Sequence, residues 1–137
     1  MMKWTMCGNR CDLCRAFAPN IVKADQRAEL SAIWSKYYPG LEILPEDIYC
    51  DGCRCEKPDA KRIDADCPVR KCALAKKVAH CGECGEYPCS TFAQREGLCY
   101  EAAKCNGDFV ADEYYDFLSA YDNKTRLDAF VKKPAGD

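Results

Sequence analysis

Cys50-Asp51-Gly52-Cys53, followed after a 13-residue interval by Cys67-Pro68-Val69-Arg70-Lys71-Cys72, decides how this chain is read. Two residues between thiols let both sulfurs turn towards one ion, and Gly52 supplies a backbone free to take positive φ. Cys67-Pro68-Val69 reads as a turn into a helix, with proline at an early helical position. Cys72 then lies on that helix, whose first turn offers free N–H groups that favour thiolate. Cys50, Cys53, Cys67 and Cys72 are therefore expected to form one closed four-thiolate site.

Outward from this stretch the same chemistry recurs. The chain holds 13 Cys in 137 residues, an excess that signals a disulfide scaffold or a metal protein. Met1-Met2-Lys3-Trp4-Thr5-Met6-Cys7 has no apolar run and no small-residue cleavage site, so no secretory leader is expected. That predicts a cytoplasmic, thiol-reducing setting, where stable disulfides are rare. The odd Cys count fits a full disulfide set poorly too. No apolar run approaches the ~20 residues of a membrane span. Cys81-Gly82-Glu83-Cys84 is a second C-x2-C turn, with Cys89 following Pro88. Its fourth ligand is not local. Cys7, Cys11 and Cys14 offer three further thiols, which points to a second site or a six-thiolate dinuclear one, with the grouping left open. Cys7 is equally readable as a buried free thiol. Cys55, Cys99 and Cys105 fall outside the clusters and read as non-ligand thiols.

Zinc is the first expectation for the metal, with an iron–sulfur cluster as the alternative, because tetrahedral S4 sites suit both. Cys7-x3-Cys11-x2-Cys14 has the spacing of radical-SAM iron–sulfur enzymes. Those need a barrel of ~200 residues, which this chain cannot build. The ferredoxin run C-x2-C-x2-C-x3-C-P has no match here. The formal charge of −2 counts every Cys as neutral. Two four-thiolate zinc sites would move it to about −6, which argues against nucleic-acid binding from overall charge.

Between the clusters the pattern is helical. Leu30, Ile33, Trp34, Tyr37 and Tyr38 recur at helical spacing within residues 20–38 and predict one buried face, ended by Pro39-Gly40. A helix from Pro68 to about Ala79 and another from Pro88 to about Glu96 are expected. Val110, Tyr114, Phe117, Leu118 and Tyr121 predict an amphipathic helix, broken near Asp122-Asn123 before a short last one. No segment alternates with period two, although short hairpins are allowed at the C-x2-C turns. The fold class expected is mainly α: a small cysteine-rich domain with zinc-knuckle turns, stapled by about two thiolate metal sites. The organisation is one domain, 1–137, with a metal-binding region at 7–92 and a C-terminal helical segment at 108–133.

Cys7-Gly8-x2-Cys11-x2-Cys14, Tyr49-Cys50-x-Gly52-Cys53, Cys67-x2-Arg70-x-Cys72 and Cys81-x2-Cys84-x3-Pro88-Cys89, in that order, resemble the cysteine-rich domain-of-unknown-function family numbered 3795. The resemblance spans residues 7–92. The family pattern often places proline after the third Cys, where this chain has Arg15. The resemblance implies a bacterial or archaeal zinc-binding protein and no known activity.

Nothing marks a catalytic centre. His80, the sole histidine, is expected on the surface at a helix C-terminus, where a cation is favourable. Residues 54–77 hold Arg54, Lys57, Lys61, Arg62, Arg70, Lys71, Lys76 and Lys77 against four acids. They are read as a solvated face whose cations balance thiolate charge, ahead of a phosphate grip, because no aromatic stacking pattern accompanies them. Tyr37, Tyr38, Tyr114, Tyr115 and Tyr121 are read as core residues with hydroxyls near the surface. The function expected is a structural zinc module that binds a protein or, less readily, nucleic acid. The alternative is an iron–sulfur or thiol-based redox protein.

Overall fold

Arg27–Tyr37 is the longest helix of the chain, and its apolar edges organise what surrounds it. The computed structural model describes residues 4–132, so position 133 of the expected C-terminal segment lies outside the described residues. Within them lie α1 (Ala18–Lys23), α2 (Arg27–Tyr37), α3 (Pro68–Lys76), α4 (Ser90–Ala93), α5 (Tyr100–Ala103), α6 (Ala111–Asp116) and α7 (Asn123–Val131). Single 3-10 turns stand at Cys11–Leu13, Pro45–Asp47, Cys81–Glu83 and Leu118–Tyr121. Among the described residues there is no strand, only isolated bridges joining Trp4 to Arg10 and Phe17 to Cys50. The mainly helical expectation holds, and the allowed hairpins do not form. No helix among the described residues is long and apolar enough to cross a membrane.

The helix over residues 20–38 divides in two. Ala24 is extended (φ −159°, ψ 108°). Asp25 Oδ1 then accepts from the Arg27 backbone N–H (3.2 Å) and from the Arg27 side chain (2.9 Å), which starts a new helix. Short polar side chains compete with the helical ladder in this way. Past the break, Leu30, Ile33, Trp34 and Tyr37 are buried as the spacing predicts, whereas Tyr38 stands at the helix end (φ −117°, ψ 91°) and is half-buried. Leu30 and Trp34 pack with Ala16 and Ile48, while Ile33 and Tyr37 pack with Ala103 and Leu118. One helix thus joins the N-terminal cysteine turn to the C-terminal half. Each such side chain contributes about 1.5–3 kcal/mol when fully buried.

α3 starts at Pro68, as expected, but stops at Lys76. Lys77 takes φ 60°, and its N–H reaches the Leu74 carbonyl (3.3 Å) while Val78 N–H reaches Ala73 (3.1 Å). That is a Schellman closure with lysine where glycine is usual. α4 is a single turn, shorter than the stretch to Glu96 expected from Pro88. The C-terminal amphipathic pattern is helical to Asp116, turns at Phe117 (φ −128°, ψ −52°) and continues as a 3-10 turn. The break at Asp122-Asn123 is where the sequence puts it.

Several side chains bind α7 to the rest, among them Asn123, Arg126 and Leu127. Buried Asn123 accepts from Gly97 N–H (2.9 Å) and donates to the Arg95 carbonyl (2.9 Å). Arg126 donates to the Gly8 carbonyl (2.8 Å). Leu127, fully buried, packs on Gly8, whose φ is +88° and where a Cβ would stand 2.8 Å from the leucine Cγ. Only glycine meets both conditions there.

Lys77 gives a test of the α3 closure. A left-handed non-glycine residue costs about 1–2 kcal/mol, and glycine gives part of that back as unfolded-chain entropy. Lys77→Gly is expected to raise stability by about 0.5–1 kcal/mol in urea unfolding, and Lys77→Val to lower it. A destabilised glycine variant would show that the lysine side chain holds the closure.

Candidate metal centre

Two of the C-x2-C turns are the same piece of backbone. In each, a 3-10 turn is closed by the last Cys N–H on the first Cys carbonyl: Cys14 on Cys11 and Cys84 on Cys81, both 3.0 Å. An aromatic residue three places on repeats the bond, Phe17 N–H to Cys14 (3.1 Å) and Tyr87 N–H to Cys84 (3.2 Å). The shared pattern C-x2-C-x2-aromatic was legible in the sequence and missed. The third turn differs: Gly52, at φ +94°, aims its N–H at Cys50 Sγ (3.4 Å).

The fold distributes the ten clustered thiols differently from the sequence-based grouping. Cys50 and Cys53 stand with Cys11 and Cys14, with the Cys7 thiol also acting on Cys53. The Cys11 and Cys53 thiols are close enough to share a proton-dependent interaction. That interaction brings Cys11 down to about 7 and, with burial, holds Cys53 above the ordinary thiol range. Burial, then the charges of Cys11 and Cys50, push Cys14 up to about 11, although its sulfur shares a hydrogen bond with the Tyr121 hydroxyl (2.9 Å). Burial raises Cys50 as well, with Cys11 adding to the rise.

Cys72 belongs to a second set. Cys72 on α3, Cys81 and Cys84 on their turn, and Cys89 just before α4 line one small cavity of about 20 Å³. Val69, Ala73, Val78 and Phe92 supply apolar wall. Burial, then the charges of Cys7, Cys89, Cys84 and Cys72, push Cys81 up to about 12. Lys76 Nζ stands 3.4 Å from Cys84 Sγ.

Helical geometry separates Cys67 from Cys72: five residues are about 140° around the axis, so the two face different sides. Cys67 instead packs with Cys7 and Val69 against Cys81, both thiols buried. Cys7 also contacts Thr5 Oγ1 (3.3 Å). Of the three thiols outside the clusters, Cys99 accepts from Ala102 N–H (3.4 Å) at the start of α5, and Cys105 is exposed. Among the described residues, no three His, Cys, Asp or Glu side chains already stand in metal-binding geometry. What the fold brings together is thiols from separate segments, four of them lining a cavity about the size of a single water.

Residues 3–94 match the family described as "Protein of unknown function (DUF3795)", a span that includes all ten of these cysteines. The chain belongs to the DUF3795 family. No curated protein and no solved structure matches it.

Around the thiols of this DUF3795 chain, two expectations change. His80 is not on the surface at a helix end. It is 1% exposed, its ring centroid 5.1 Å from Trp4 and 4.7 Å from Phe130, and its Nδ1 accepts from Gly82 N–H (3.0 Å). The Schellman closure at Lys77 turns the chain inward before His80. Burial lowers its pKa, so it sits neutral in the core. The basic stretch 54–77 is not simply a solvated face either. Arg54 donates to the carbonyls of Trp4 (2.7 Å) and Ala79, Arg62 to those of Gly52 (3.2 Å) and Cys55, and Arg70 to that of Cys53 (2.9 Å). These arginines bind the cysteine loops to one another. Tyr121, expected in the core with its hydroxyl near the surface, instead turns that hydroxyl inward onto Cys14, while the roles of Asn123 and Arg126 were missed because their partners lie far off in loops without pattern.

Arg54→Met keeps the stem and removes both carbonyl contacts. It is expected to cost about 1.5–3 kcal/mol in urea unfolding, with Arg54→Lys recovering part. A change under about 0.5 kcal/mol would show that the two carbonyls find water instead.

Proposed function

We propose that this protein is a structural zinc module, with one ion held by Cys11, Cys14, Cys50 and Cys53 and a second by Cys72, Cys81, Cys84 and Cys89. The observation that carries this reading is the small cavity lined by four cysteines from three separate chain segments. Four thiols from separate segments converging on one void is more than apolar packing requires, and within it burial and then the neighbouring thiols raise Cys81. A divalent cation would remove that conflict, and zinc prefers four thiolates in a closed site. The first set has the same composition and the same turn. Structural zinc contributes ~10–16 kcal/mol of apparent binding energy against a whole-domain stability of ~5–15 kcal/mol. The short helices and divided core described above fit a fold that depends on metal.

Cys7 and Cys67 are assigned to packing between the two sets, where buried free thiols behave as small hydrophobes. As an interaction module the chain is read as a partner for protein rather than nucleic acid, because Arg54, Arg62 and Arg70 are engaged with backbone carbonyls instead of facing outward.

Protein purified without added metal is expected to be colourless and to contain two zinc per chain on this reading. Cys14→Ser and Cys53→Ser should lose the same equivalent. Cys72→Ser and Cys84→Ser should lose the other, and Cys67→Ser should retain both. A strong chelator should abolish the helical circular dichroism. Loss of one shared equivalent by Cys53→Ser and Cys67→Ser would sink the grouping, and a brown protein with iron and acid-labile sulfide would sink zinc.

A further inference from the structure

α5 and α6 carry an aromatic surface that neither thiol set uses. Tyr100, Tyr114 and Tyr115 are in mutual contact. Ring centroids lie 5.1 Å apart for Tyr100 and Tyr114, 5.9 Å for Tyr100 and Tyr115, and 5.3 Å for Tyr114 and Tyr115. The inner side of this cluster is fixed. The Tyr114 hydroxyl donates to Asp122 Oδ2 (2.6 Å), and Phe109 stands edge-on between Tyr100 (5.5 Å) and Tyr37 (6.5 Å). The outer side is open, with Tyr115 63% exposed. Asp112 lies three residues from Tyr115 and four from Asp116, so the three adjoin on the helix surface. Residues 100–116 hold five acids and one lysine. Of these acids Glu113 is paired with Lys36 (2.6 Å), whereas Asp108, Asp112 and Asp116 stand exposed. This stretch lies outside residues 3–94, which carry the family match.

We propose that this face docks a cationic segment of a partner protein, with an arginine laid over Tyr115 and its charge met by Asp112 and Asp116. The inference rests on the reading of the chain as a protein-binding module and gives that partner its chemistry. It does not depend on which metal the thiols hold. Charge complementarity selects the occupant. An aromatic face carries negative potential and attracts a cation, and the methylene stem of a long basic side chain covers apolar surface. The chain already uses its rings in this way. Lys104 Nζ stands 5.5 Å over Tyr100, and Lys36 Nζ stands 5.1 Å over Tyr37. Tyr115, the exposed ring of the cluster, has no cation over it among the described residues. Arginine suits it best, because a planar guanidinium stacks on a ring and still directs N–H groups at carboxylates beside it. Tyrosine and arginine are also the side chains that most often carry binding energy between proteins. The same carboxylates repel a nucleic acid or an anionic membrane.

The test uses the full chain as purified, with metal counted. A fluorescent peptide of repeating Arg-Pro, extended by its prolines, is titrated by anisotropy against a Glu-Pro peptide of equal length. The Arg-Pro peptide is expected to bind and the Glu-Pro peptide to fail. Tyr115→Ala should weaken binding about three- to tenfold. Tyr115→Phe should retain it, because the ring and not the hydroxyl makes the contact. Asp112→Asn combined with Asp116→Asn should weaken binding and flatten its dependence on salt. All three residues are exposed, so the helical signal is expected to stay unchanged in these variants. No binding to the parent chain overturns the proposal. So does binding that survives both Tyr115→Ala and the double aspartate variant, although the protein-binding reading then stands, with the peptide seated elsewhere. Self-association of the parent, lost in the same variants by sedimentation, would put a second copy on this face and overturn the assigned partner. Absence of metal overturns the zinc reading instead, and the peptide comparison still decides this one.

Discussion

Backbone carbonyls in loops without a ladder must find donors, and that constraint shapes this protein more than any helix does. Buried C=O groups left unpaired cost about as much as a lost hydrogen bond. Here the cysteine-bearing loops have no sheet to join. Arginine takes the place of the missing strand. Arg54 links the N-terminal segment to the residue before His80, Arg62 and Arg70 hold the Cys50–Cys53 loop, and Arg126 closes α7 on Gly8. A guanidinium suits this work because its planar fork reaches two carbonyls at once and stays charged at any working pH. The same contacts turn three cations of the basic segment, Arg54, Arg62 and Arg70, towards backbone carbonyls.

What the sequence made legible follows periodicity and local chemistry. The buried face of α2, the proline start of α3 and the break before α7 are set by residues within a few positions of one another. The grouping of thiols was not legible, for a geometric reason. Spacing shows that Cys50 and Cys53 can share an ion, but not which other turn the chain brings to them. Cys67 and Cys72 look adjacent in sequence and are separated by the helix that carries them. His80 was misplaced because α3 ends one turn earlier than its composition suggests. The closure that ends it uses lysine in a conformation where sequence reasoning looks for glycine.

The two cysteine sets share a turn but differ in surroundings, and the difference follows from which elements deliver the thiols. Cys72 and Cys89 come from α3 and from the start of α4, and the apolar residues of those helices, Val69, Ala73 and Phe92, close over the sulfurs. Cys50 and Cys53 come from a loop without helical neighbours, so one side of their set borders a cleft.

The open set is also the one tied to the core. Tyr121 shares a hydrogen bond with Cys14 Sγ, and its ring lies 6.3 Å from Trp34 on α2, centroid to centroid. Burial holds the Tyr121 hydroxyl protonated well beyond its usual range, with the Cys14 charge adding to the effect. A hydroxyl that cannot ionise remains a donor to a sulfur, and its bond strengthens as that sulfur gains thiolate character. Whatever changes the charge on Cys14 is thereby felt by the ring that packs against the central helix. Trp34 packs with Leu30 and Ile48, so Tyr121 places the Cys14 thiol in direct contact with the apolar core.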